Sequence, residues 1–177
     1  MDKIPEATDK MKKFFEERTK SHIDKVEKNI QKVAVNSVHR EELLKRGASH
    51  DTSKWSSEEM PLYVWLTEFY RCKNLNIDFS YPEGLEERVS EASDHHEKNN
   101  PHHPESHKSI DDMSDVDIIE MVCDWTAMAQ ELGEENGSAR SWADKTVGKK
   151  WKFNDNQKNL IYDTIKALEY WNSIKGE

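Results

Sequence analysis

The chain has 177 residues, of which 26 are basic and 35 are acidic, so its formal net charge is −9. This charge disfavours a protein that holds the phosphate backbone of nucleic acids, and we expect no stable nucleic-acid binding. Leu, Ile, Val and Phe supply only 33 residues, but six Trp and five Tyr add large apolar surfaces, which predicts a folded protein with a thin core.

Apolar residues recur at spacings of three and four, which predicts an all-α protein with a single domain over residues 1–177. The first helix is expected from about Ala7 to Val38, with an interruption near residues 19–21. A short helix from Glu41 to Arg46 follows, and Gly47 is expected to stop it. Further helices are predicted over residues 56–72, 85–96, 114–132, 138–150 and 155–174, with loops over 74–84 and 99–109.

The cysteines and the hydropathy of the chain indicate a cellular compartment. Cys72 and Cys123 match neither a zinc-binding nor a redox spacing, so we expect two reduced, partly buried thiols. The N-terminus does not resemble a signal peptide, and no window approaches the roughly 18 apolar residues of a membrane span. We therefore expect a soluble, cytoplasmic protein without a membrane partner.

Histidines are concentrated in one polar segment. The chain has eight, and five of them fall between His95 and His107. A solvated loop has no need of so many imidazoles, whereas imidazole is the commonest metal ligand among side chains. This cluster predicts metal binding.

Other candidate ligands lie outside that segment. His50 and Asp51 follow a glycine, and adjacent residues at a helix break can both point into one pocket. Asp124 lies in an otherwise apolar helix, where a carboxylate is costly unless it is paired or ligated; a salt bridge or a cap to a neighbouring helix would also satisfy it. His22 lies at the edge of an apolar stripe, where a packed histidine is the alternative to a ligand.

Taken in order, these residues resemble the HD-domain superfamily of metal-dependent phosphohydrolases, in which a His, a His-Asp pair and a distant Asp lie on successive helices. Three further motifs resemble a bacterial and phage HD-like family of unassigned function, and the likeness spans roughly residues 18–170. The motifs are His50-Asp51-Thr52-Ser53-Lys54, the paired histidines His95-His96 and His102-His103 with Asn99 and Glu105, and Asp117-Ile118-Ile119-Glu120-Met121-Val122-Cys123-Asp124-Trp125.

The resemblance implies a ligand set for one divalent transition metal (Mn, Fe, Co, Zn or Ni), namely His22, His50, Asp51 and Asp124. In the HD-GYP phosphodiesterases, extra histidines bind a second metal, and an aspartate at the position of Asp51 bridges the two ions. We therefore predict that His96, His102 and His103 include ligands of a second ion, with His95 beside them. The alternative is that some of these histidines bind substrate phosphate. The Gly-Tyr-Pro element of those enzymes is absent, which argues against cyclic dinucleotide cleavage.

The resemblance implies hydrolysis of a nucleotide or another small phosphate ester by metal-activated water. Lys54 would pair with a phosphate oxygen. Glu105 would orient water or a ligand histidine, and Glu120, one helical turn before Asp124, would support the ligands. Two alternatives remain: a mixed-valent di-iron oxygenase, as in HD-domain enzymes such as myo-inositol oxygenase, and a non-catalytic binding protein that keeps the fold.

Overall fold

The computed structural model describes residues 3–134 and 137–174. Within those ranges the chain forms helices and no strand, apart from one isolated bridge between Val147 and Trp151. The helices are α1 (Asp9–Ala34), α2 (Arg40–Ser49), α3 (Met60–Asn74), α4 (Leu85–Asn99), α5 (Asp115–Glu131), α6 (Arg140–Thr146) and α7 (Asp155–Ile174). Short 3-10 turns lie at Thr52–Trp55, Pro104–Ser106 and Ile110–Asp112. The all-α prediction is confirmed for the described residues.

Contacts divide the chain into two compact units that do not follow chain order. The first unit comprises the described residues through Ser21 together with Asp51–Asn99, and the second comprises His22–His50 together with the described residues from Asn100 onward. The boundary at the predicted His-Asp pair leaves His50 in the second unit and Asp51 in the first. The expectation of a single domain over 1–177, which also takes in residues outside the described ranges, stays a prediction.

The second unit is built around α5, which packs against α7 and α2. A capping box at Ser114 and Asp117 begins α5, because each side chain accepts a hydrogen bond from the backbone N–H of the other residue. Ile118 and Val122 of α5 are fully buried and join Ile161 of α7 in one apolar cluster. Acidic residues at positions 117, 120, 124 and 131 of α5 repeat at helical spacings and therefore share a face.

The first unit has its own apolar core where α3 packs against α4. Leu62 and Val64 of α3 are buried with Leu85 and Val89 of α4. Pro61 lies in the first turn of α3, where its missing N–H costs no hydrogen bond. The Ser56 hydroxyl accepts from the backbone N–H of Glu59 and steadies the same helix start.

Helix α2 corrects one prediction. Gly47 was expected to end it, but the helix continues to Ser49 with Gly47 inside it. A Cβ at Gly47 would lie 3.3 Å from the Ile30 side chain, so the glycine serves close packing rather than termination. Other predictions differ as well. Helix α1 is continuous through residues 19–21 and ends at Ala34, α3 begins at Met60, and α6 is shorter than predicted, ending at Thr146.

Cys72 and Cys123 are both free, as predicted, and both are buried rather than partly buried. Within the described ranges, no helix combines the length and the apolar character that crossing a membrane requires.

We expect Leu43→Ala to lower the free energy of unfolding by about 2–5 kcal/mol, because the substitution leaves a cavity in a tightly packed core. Leu43 is fully buried on α2. Its neighbour Leu44 is 37% exposed, so Leu44→Ala is the matched control and should change stability by only about 0.5 kcal/mol. Urea unfolding of both variants measures the difference, and equal losses would contradict this packing.

Candidate metal centre

The His-Asp pair lies in a sharp change of backbone direction. Helix α2 ends at Ser49, and His50 is extended, with φ −54° and ψ 131°. Asp51 has φ 54°, in the left-handed region, which Asp enters more readily than most residues. The helix break that the sequence predicted at this pair is present.

In the second unit, α1 and α5 bring His22 between two carboxylates. Its Nε2 lies 3.0 Å from Asp124 Oδ1, and its Nδ1 lies 2.9 Å from Glu131 Oε1. His22 is buried, and only 15% of the Asp124 side chain is exposed. Burial would raise the pKa of Asp124, but the hydrogen bond with His22 and the nearby His102 and His50 hold this pKa below its usual range.

A second group in the same unit contains His50, His102 and Glu120. All three are buried, and one ligand atom from each lies within 4.8 Å of the others, which is a geometry that could hold a metal ion. The centres of the His50 and His102 rings are 4.5 Å apart, and the centre of the His103 ring lies 4.2 Å from that of His102. His50 Nε2 lies 4.0 Å from Asp124 Oδ1.

Glu120 is held as an ionised carboxylate. Its Oε1 lies 2.8 Å from His50 Nδ1, and its Oε2 forms an ion pair with Arg46. Burial would raise the pKa of Glu120, but hydrogen bonds from His102 and His50 outweigh burial and lower this pKa to about 2. Arg46 also donates to Asp117 at 3.0 Å, so the guanidinium bridges two successive turns of α5.

The first unit contributes Asp51, Lys54 and His96. Asp51 Oδ1 lies 3.1 Å from His96 Nε2, and Asp51 Oδ2 accepts a hydrogen bond from Lys54 Nζ. Asp51 and His96 are both buried. The other ring nitrogen of His96, Nδ1, lies 3.0 Å from Glu59 Oε2.

Three of the predicted metal-binding histidines share one hydrogen-bonding pattern. Each has Nδ1 within hydrogen-bond distance of a glutamate. Nε2 of His22 and of His96 lies 3.0 and 3.1 Å from an aspartate oxygen, and Nε2 of His50 lies 4.0 Å from Asp124. The glutamate contact takes up Nδ1 and leaves Nε2, the nitrogen on the aspartate side, as the atom that can bind a metal together with that aspartate. The pairs are His22–Glu131 at 2.9 Å, His50–Glu120 at 2.8 Å and His96–Glu59 at 3.0 Å.

The donor set fits a divalent transition metal. Imidazole nitrogens and carboxylate oxygens suit Zn, Mn, Fe, Co and Ni alike. Two such atoms bound to one ion at ordinary bond lengths and angles lie about 3.0–3.4 Å apart. The His22–Asp124 and His96–Asp51 separations of 3.0 and 3.1 Å match that spacing.

The remaining predicted residues have other partners. Lys54 pairs with Asp51, and its ammonium also lies 5.5 Å from the centre of the Tyr63 ring. Glu105 forms an ion pair with Lys150 at 3.1 Å near the surface. His95 is half-exposed and lies 2.9 Å from Glu59 through Nδ1. The roles predicted for Lys54 and Glu105 stay predictions.

Glu59 and Glu131 are the site residues that the sequence reasoning missed. Glu59 lies in a Ser-Ser-Glu-Glu run that indicates only a helix start. Glu131 carried a usable signal, because it follows Asp124 by seven residues and therefore shares its helical face. Glu59 has no such signal and does not differ from a surface residue in sequence.

No curated protein and no solved structure matches the chain significantly. One family model matches it, over residues 11–167, and this range includes every residue of the candidate metal centre. The chain therefore belongs to a family of unknown function, DUF5662.

Proposed function

We propose that this protein is a metal-dependent phosphohydrolase of the HD superfamily that acts on a nucleotide or another small phosphate ester. The observation that carries the proposal is the repeated glutamate–histidine–aspartate arrangement. A buried imidazole that is oriented on Nδ1 and faces a carboxylate through Nε2 is how proteins prepare a metal ligand. The ordered sequence motifs, which resemble HD-domain phosphohydrolases, support the same activity.

In this proposal the metal ligands are the set that the HD resemblance implies, namely His22, His50, Asp51 and Asp124. When bound, the metal supplies Lewis-acid activation of water and of a phosphoryl oxygen. Glu120 and Glu131 keep the Nε2 atoms of His50 and His22 available for binding. Arg46 forms an ion pair with the buried Glu120 carboxylate and offsets part of its negative charge.

Lys54 is the proposed phosphate-binding group. Its ammonium is held beside Asp51, and only 16% of its side chain is exposed, so it is positioned before a substrate arrives. A partly buried lysine can pair with a phosphate oxygen as a point charge. The same ammonium offsets the negative charge of Asp51, which would otherwise repel an anionic substrate.

Removing the metal is expected to abolish phosphate release, and adding back a divalent transition metal is expected to restore it. The measurement is a phosphate-release screen over nucleotides and small phosphate esters. The chelated protein is compared with the same protein reloaded with Mn, Fe, Co, Zn or Ni, and elemental analysis follows the metal content.

Two results would contradict this proposal. A fully loaded protein that releases phosphate from no compound in the screen would argue against hydrolysis. A mixed-valent di-iron signal in electron paramagnetic resonance, together with substrate-dependent oxygen consumption, would instead assign the oxygenase activity.

A further inference from the structure

We infer that Glu59 and Glu131 are positioning residues, which orient His96 and His22 so that Nε2 of each ring is the atom that binds metal. This inference rests on the proposed metal centre and adds to it two residues that lie outside the HD-like motifs. It concerns ring orientation and the position of one hydrogen, and it requires neither glutamate to touch the metal.

Glu59 holds two adjacent histidines at once. It is 1% exposed and lies at the start of α3. Its Oε1 lies 2.9 Å from His95 Nδ1, and its Oε2 lies 3.0 Å from His96 Nδ1. The Ser53 hydroxyl donates to the same Oε2 at 3.0 Å. Since each oxygen already contacts an imidazole nitrogen, Glu59 is placed to orient imidazoles rather than to bind an ion itself.

Glu131 restrains His22 from the side opposite Asp124. The Glu131 carboxylate meets Nδ1 at 2.9 Å while Asp124 meets Nε2 at 3.0 Å. Glu131 and Asp124 lie two helical turns apart on α5, so one rigid helix carries both groups. A ring whose two nitrogens each face a carboxylate cannot rotate without losing one of these contacts, and this fixes which nitrogen faces Asp124.

The His50–Glu120 pair shows that the arrangement recurs. Glu120 meets His50 Nδ1 at 2.8 Å in the same manner, on a helix face that also carries Glu131. Glu59 has the same contact with His96, although it lies just before α3 and in the other unit. Three occurrences, two on α5 and one before α3, argue for a shared role in preparing ligands, because the same ring nitrogen, Nδ1, faces the glutamate each time.

We expect Glu59→Gln and Glu131→Gln each to weaken metal binding by about 10–100-fold, the usual cost of removing such a partner. Glutamine keeps the volume of glutamate but loses the charge that favours hydrogen on Nδ1. The alanine variants, which lack any acceptor, should bind metal no better than the glutamine variants. The measurement is titration of the metal-free protein with Co²⁺, followed through its visible absorption bands.

Glu68→Gln and Glu169→Gln are the matched controls. Glu68 accepts from Arg71 in the first unit, and Glu169 accepts from Arg140 in the second. Each control variant also replaces a carboxylate that has a cationic or imidazole partner. In the controls, however, that partner is an arginine and not a candidate metal ligand. Their Co²⁺ affinity should stay within about twofold of wild type, since they have no part in preparing a ligand.

Unfolding of the metal-free variants separates positioning from a purely structural role. Reduced stability with unchanged Co²⁺ affinity of the folded fraction would overturn the inference while leaving the metal centre in place. A wild-type protein that binds no Co²⁺ would overturn both. If a glutamine variant does not fold, Glu59→Asp and Glu131→Asp take its place. They keep the charge with a shorter reach, so Co²⁺ affinity below wild type supports the inference and unchanged affinity contradicts it.

Discussion

Asp51→Ala is expected to remove bound metal and all phosphohydrolase activity. Asp51 faces His96 Nε2 through one oxygen and Lys54 through the other, and it follows His50 directly in the chain. Removing a group that hydrogen-bonds to a metal ligand lowers metal affinity by about 10–100-fold. Removing the ligand itself should therefore lower metal affinity by at least about 100-fold. Elemental analysis and phosphate release measure the two effects.

The left-handed backbone conformation of Asp51 requires a separate control, because alanine could destabilise the fold there for reasons unrelated to metal binding. Asp51 has φ 54°, a conformation in which alanine is strained by about 1–2 kcal/mol. Asp51→Asn avoids that strain, because Asn tolerates the left-handed region, and should still lose metal. Asn76 has φ 53°, so Asn76→Ala introduces similar strain without removing a candidate ligand and should keep its metal. Full metal content in Asp51→Asn and Asp51→Ala would contradict the assignment.

His102→Ala and His103→Ala are expected to lower the metal content from two ions per chain to one. The ligand set that the HD resemblance implies for one metal, namely His22, His50, Asp51 and Asp124, leaves the other histidines of the motif without a function. His102 is buried, and its ring lies 4.5 Å from the His50 ring. A second ion bound near the first could stabilise both the attacking and the departing oxygen. The measurement is metal stoichiometry in fully loaded protein.

His39→Ala is the control for those two variants, because His39 is only partly buried and pairs with Asp115 at 3.6 Å. It should keep the wild-type stoichiometry. One ion per chain in wild type, unchanged in His102→Ala and His103→Ala, would exclude the second metal. These histidines would then belong to phosphate binding.

Part of the candidate site could be predicted because it depends on local periodicity. The spacing of apolar residues in 114–132 predicts α5, and that helix necessarily places Glu120 one turn from Asp124. The break before His50 could also be predicted, although from the wrong cause. Gly47 lies inside α2, and the helix ends two residues later.

The partner of each histidine could not be predicted in this way. His22 and Glu131 are 109 residues apart, and His50 and Glu120 are 70 apart. Such contacts depend on which helix faces pack together, and no short-range pattern encodes that. Arg46 shows the same limit, since its sequence neighbours give no indication that it pairs with both Asp117 and Glu120.

By itself the sequence determined the helical class and the order of the candidate ligands, because both follow from residue types and their spacing along one chain. Only the tertiary structure decided which ring nitrogen each histidine presents. Hydrogen bonding by Glu59, Glu120 and Glu131 selects that nitrogen, and each glutamate reaches its histidine across a helix interface or a turn. An imidazole has two nearly equivalent nitrogens, so the choice between them depends on a neighbour that only folding supplies.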